Sequence, residues 1–197
     1  MIKQHFIYWI VILSCFNNPI FSQKDTSETM GGVYLTTDDF KKGKLMYDID
    51  CSTEKQKIKL FNFFTKPYFD VYYQGEKFRL QKNQVYGFKD CHDRTFRFYE
   101  NMEFQLVEAG KIYLYFQEQL MFTEKAGSSS DAFFFSTEPG SVIKPLNVSN
   151  LKKAYPTNKT FHKLMDTQIN NRNINAYDSL NKMYKINSLF IESLSKQ

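Results

Sequence analysis

The residues TFRFYENMEFQLVEAGKIYLYF, positions 95–116, decide how this chain is read. Phe96 and Phe98 alternate with Thr95, Arg97 and Tyr99. Phe104 and Leu106 continue the pattern, and Ile112, Leu114 and Phe116 stand between Lys111, Tyr113, Tyr115 and Gln117. A period of two sends successive side chains to opposite faces of an extended chain, so these are half-buried strands and not helices. Ala109-Gly110 interrupts the run where a hairpin needs a tight turn, because glycine takes up positive φ without strain.

The alternation extends in both directions. Phe69, Val71 and Tyr73 alternate with Asp70 and Tyr72, Phe78 and Leu80 with Lys77, Arg79 and Gln81, and Ile58 and Leu60 with Lys57 and Lys59. Gln74-Gly75 and Lys42-Gly43 mark two further turns. Residues 124–131, with Gly127 and three serines, form an expected surface loop, after which Phe133, Phe134 and Phe135 make a last strand ended by Pro139-Gly140.

Past Pro145 the period changes. Phe161, Leu164, Met165 and Gln168 share a helical face behind Thr157 and Asn158 as caps. Tyr177, Leu180, Tyr184, Ile191 and Leu194 then follow a three-four spacing that Met183 and Phe190 widen and Asn187 interrupts. Strands followed by helices predict an α+β protein. The expected architecture is an antiparallel β-meander, barrel-like or sandwich, followed by a C-terminal helical segment packed on it. Residues 23–145 form the β-rich domain and 146–197 the helical segment.

Residues 1–22, MIKQHFIYWIVILSCFNNPIFS, have one cation, Lys3, an apolar core from Phe6 to Leu13 and a polar end at Ser22, the layout of a secretory signal peptide. Its apolar core is shorter than the ~20 residues of a spanning helix. The alternative is a lipid anchor at Cys15, which follows Ile12-Leu13-Ser14; the flanking Leu13 and Phe16 favour plain cleavage.

The 197 residues hold 20 Phe, 13 Tyr and one Trp against 8 Gly and 5 Pro, with 42% apolar and 24% charged residues. That excludes a disordered tail and allows one domain with a real core. A formal charge of +5 is far from the dense cationic clustering of a dedicated nucleic-acid binder, so no nucleic-acid partner is expected.

Removal of residues 1–22 leaves two cysteines, Cys51 and Cys91. An even pair in an exported chain points to a disulfide. Closing its loop would contribute roughly 4 kcal/mol by loop entropy.

Chemistry is sparse. Asp90-Cys91-His92-Asp93-Arg94 is the compact polar cluster, but adjacent residues on an extended chain cannot form a Cys-His pair. It reads as a polar hairpin turn, with Arg94 and Arg97 on the solvent face of the following strand. Asp48 and Asp50 share a strand face, and with His92 they supply the alternative of an envelope hydrolase. No metal-ligand spacing, phosphate loop, dinucleotide fingerprint or nucleophile elbow occurs, so neither a cofactor nor a metal is expected. The favoured reading is a non-enzymatic module that binds a protein, peptide or glycan through its aromatic sheet face. Tyr86, Arg97, Tyr113 and Tyr115 are its candidate binding residues, since tyrosine joins buried area to a polar tip.

The signal ending Phe21-Ser22-Gln23, the Lys-, Asn-, Phe- and Tyr-rich composition and the opening Gly32-Val33-Tyr34-Leu35-Thr36-Thr37-Asp38-Asp39-Phe40 resemble small exported proteins of Bacteroidota. The resemblance implies a Gram-negative envelope setting, periplasmic, on the outer surface or secreted. It assigns no functional residue.

Overall fold

The computed structural model describes residues 30–52, 57–60, 66–117, 133–170 and 173–196. The expected export signal, the anchor alternative at Cys15 and the loop at 124–131 lie outside the described residues. The first strands are β1 (Met30–Tyr34), β2 (Met46–Asp50), β3 (Lys57–Lys59), β4 (Tyr68–Tyr73), β5 (Glu76–Gln81) and β6 (Gly87–Lys89). They are followed by β7 (Thr95–Tyr99), β8 (Met102–Ala109), β9 (Tyr113–Phe116), β10 (Phe133–Ser136) and β11 (Lys144–Pro145). A short helix, α1 (Thr37–Lys41), joins β1 to β2. The C-terminal part carries α2 (Val148–Ala154), α3 (Lys159–Gln168), the hairpin β12 (Tyr177–Asp178) and β13 (Met183–Tyr184), and α4 (Lys185–Ser195).

Eight strands form one antiparallel sheet in the order β11-β10-β9-β8-β7-β6-β1-β2, so the expected meander runs unbroken from β6 to β11. The sheet ends in β2 and β11 and stays open, where the sequence allowed a closed barrel. A second sheet, β3-β4-β5, packs Phe69 and Val71 on Val33, Phe88 and Phe98 of the first, which makes that end a small sandwich. Gln74-Gly75 turns β4 into β5 with both residues at positive φ, as that hairpin requires.

Helices α2, α3 and α4 cover the other end of the same face. Leu151, Phe161, Met165, Ile186, Leu189 and Phe190 close over Leu114 and Phe135. Asparagine sets the start of two of these helices. The side chain of Asn147 accepts from the Asn150 amide at 2.8 Å, and that of Asn158 from the Phe161 amide at 2.9 Å. Helix α1 begins with a capping box between Thr36 and Asp39.

Three expectations change. Lys42-Gly43 ends α1 and does not turn a hairpin. Tyr177 to Tyr184 is a two-stranded hairpin and not the first half of a long helix, and Leu180, expected on the buried stripe, is 95% exposed at its turn. Arg97, expected in solvent, is buried at 6% exposure, because α1 and the chain after β10 cover the face it points to.

Candidate functional site

Cross-strand pairing places Val33, Phe88, Phe96, Gln105, Phe116 and Phe133 in one row across six strands of the large sheet. At one end the small sheet covers Val33. At the other, Phe133 lies against Tyr184, 6.0 Å between ring centroids, beside the helical layer. Beside the small sheet the row forms the floor of a groove of about 500 Å³, in which Phe88 is buried and Phe96, Gln105 and Phe116 are half-buried. Phe88 and Phe96 are stacked there, 4.7 Å apart and 6° from parallel. Ile58 and Leu60 contribute one wall and Glu103 the inner polar end.

The rim is the polar turn between β6 and β7. The Asp90 carboxylate accepts from the amides of His92 and Arg94, each at 2.9 Å, and from the Arg94 guanidinium at 2.7 Å. Burial raises its pKa, but these donors outweigh burial and hold the carboxyl below the ordinary range. Arg94 lies 5.5 Å from the Phe96 ring, so its charge overhangs the apolar floor. His92 is exposed at the mouth. Lys57 also lines the groove; its contact is the Tyr72 ring at 5.8 Å, and it forms no ion pair among the described residues. At the inner end Glu103 pairs with buried Lys82 at 2.7 Å.

Cys51 and Cys91 are joined by a disulfide, with Cα atoms 5.4 Å apart. The bridge ties the end of β2 to the rim turn. The sequence pairing is therefore present, and Cys91 also lines the groove.

The expected binding residues come together on the opposite face. The Arg97 guanidinium carbon lies 5.6 Å from the Tyr86 ring, 5.7 Å from Tyr99 and 6.0 Å from Tyr115. Tyr113 is half-buried in the same aromatic layer. Tyr86 and Tyr115 are buried, and Phe40 of α1 stacks on Tyr86 at 4.6 Å. The four residues thus form a covered layer and not an open stacking surface; the opening lies on the phenylalanine face, which sequence reasoning assigned wholly to the core.

The acidic candidates do not converge. Asp48 accepts from the Tyr73 hydroxyl at 3.1 Å, and Asp50 from Ser52, whose amide is at 2.9 Å. Neither lines the groove, whereas His92 does. Among the described residues no three His, Cys, Asp or Glu side chains group to hold a metal, and no helix is long and apolar enough to cross a membrane. Phe88, Phe96, Gln105 and Phe116 were missed as site residues, because alternation marks a face without saying how far other elements cover it.

No protein-family model matches this chain, and neither a curated protein nor a solved structure shows significant similarity to it.

Proposed function

We propose that this is an exported, non-enzymatic binding protein of the bacterial envelope whose ligand lies in the groove lined by the two sheets and the turn between β6 and β7. The export reading comes from residues 1–22. The binding reading rests on one observation, a groove of about 500 Å³ floored by the stacked pair of buried Phe88 and half-buried Phe96. That volume is in the range of roughly 300–1,000 Å³ usual for small-molecule sites. An apolar floor with Arg94, His92 and Lys57 around it suits a flat or chain-like apolar body carrying a negative group.

The test uses the dye 1-anilinonaphthalene-8-sulfonate, which has both features. The folded protein is expected to bind it with saturable, one-site enhancement of emission. Phe96→Ala should weaken binding about tenfold, the loss of part of a buried ring's contribution. Lys57→Glu should weaken it a few-fold. A wild type that leaves the dye unbound, or a Phe96→Ala protein that binds equally well, would remove the proposal's support.

A further inference from the structure

Asp70, Lys82 and Arg97 are the buried charged side chains among the described residues. Asp70 is paired with Lys77 and Arg79, each at 2.8 Å, and Lys82 with Glu103 at 2.7 Å and the Asn101 carbonyl at 3.1 Å. Arg97 has no carboxylate partner among the described residues. Its one hydrogen bond among the described residues is long, 3.4 Å from Nη1 to the Tyr115 hydroxyl.

The hydroxyls around it cannot supply the missing acceptor. The Ser136 hydroxyl donates to the Glu138 carbonyl at 2.7 Å, so at 3.0 Å it accepts from Tyr115. The Tyr115 hydrogen is thereby used, and its oxygen faces Arg97. The Tyr86 hydroxyl is buried beside the Tyr115 hydroxyl and has no hydrogen bond of good geometry among the described residues. Burial and its neighbours hold its pKa far above the ordinary phenol range, so it remains an O–H donor.

A guanidinium carries five N–H donors in a plane. The three tyrosine rings offset part of the desolvation of its charge through their π faces. Ring faces do not replace the in-plane acceptors that water would provide, and a buried charge without a counter-ion costs several kcal/mol. The cluster is rich in donors, poor in acceptors and one negative charge short.

We propose that Arg97 and Tyr86 form a binding site for a carboxylate, distinct from the groove and on the opposite face of the sheet. The guanidinium edge matches the two carboxylate oxygens, and the Tyr86 hydroxyl adds a third donor. Half-buried Tyr99 and Tyr113 border the cluster and are its less covered edge.

Formate is the probe. Thermal unfolding of the exported chain is followed in rising sodium formate, with ionic strength held constant by a bulky buffer anion. The wild-type midpoint should rise by about 3–6 °C at ten times the dissociation constant. Tyr86→Phe should need several-fold more formate for the same rise, and Arg97→Met should show none. Arg97→Lys keeps the charge without the fork and should respond weakly, which keeps the test decisive if the methionine variant does not fold. Affinity that increases along formate, acetate and butyrate identifies a carboxylate carried on a larger ligand, and affinity that decreases identifies a free ion. A wild type indifferent to formate, or a rise of equal size in the Arg97 variants, overturns the proposal.

Discussion

Asp70 and Arg97 occupy the same kind of position, a polar residue between two apolar ones on a strand, and both are buried. Asp70 lies on the outward face of β4 and is hidden by its own sheet, since Lys77 and Arg79 of β5 fold over it. Hydrogen bonds from Arg79, then Lys77, lower its pKa to about 2, against the opposing effect of burial. A carboxyl with a depressed folded-state pKa stabilises the fold fully above the unfolded pKa and loses that contribution as pH falls through the folded one. Both partners are about half-exposed, so the contribution is about 1–2 kcal/mol after solvent screening. In urea denaturation, Asp70→Asn should be less stable than wild type by that amount at about pH 6, and the gap should close between about pH 5 and pH 2. A gap independent of pH would show that the ion pairs do not stabilise the protein. The alternation around both residues is legible in sequence. Which cations reach Asp70, and that none of the described carboxylates reaches Arg97, follows from pairing between strands.

At the scale of elements, the docking of α4 depends on a residue whose sequence role looked like an interruption. Asn187 is buried; its side chain accepts from the Ile112 amide and donates to the Ile112 carbonyl, both at 2.8 Å, and also donates to Glu108. Glu108 accepts in turn from the Tyr184 amide at the start of the helix. Gly110 makes this approach possible, because a Cβ there would lie 2.6 Å from the Asn187 amide nitrogen. Asn187→Leu would leave the Ile112 peptide groups buried and unpaired, at a cost of about 2–4 kcal/mol. Equilibrium denaturation measures this directly, and a loss below about 1 kcal/mol would show that apolar packing alone holds α4. The three-four pattern of the tail located α4 but not its packed face: Ile191 and Leu194 of the expected stripe are exposed, Phe190 and the interrupting Asn187 are buried, and the pattern also took in Tyr177 and Leu180. The same spacing fits a short hairpin, in which Asp178 accepts from the Leu180 and Asn181 amides at the turn. Local hydrogen bonding of that kind competes with the helix, and apolar spacing does not register it.

For the whole molecule, the disulfide links β2 at one edge of the large sheet to the turn after β6, across 40 residues of sequence. Chain entropy assigns roughly 4 kcal/mol to such a closure. Replacing Cys51 and Cys91 together with serine should therefore lower the unfolding temperature by about 8–16 °C in a chain of this size. A fall of less than about 2 °C would mean that packing against the small sheet already fixes this edge. Strand content, the meander order and the change to helices in the tail were set by the amino-acid sequence alone, because period, turn residues and caps act over a few positions; the sequence offered the Cys51–Cys91 pair, and the strand geometry closes it. What covers each face was decided only in the tertiary structure. The tyrosine face, polar by its pattern, is closed by α1 and the chain after β10, while the phenylalanine face is covered at its two ends and carries the groove over Phe88, Phe96 and Phe116. Burial is a property of layers that meet across long sequence separations, and no local pattern encodes where one layer stops and the next begins.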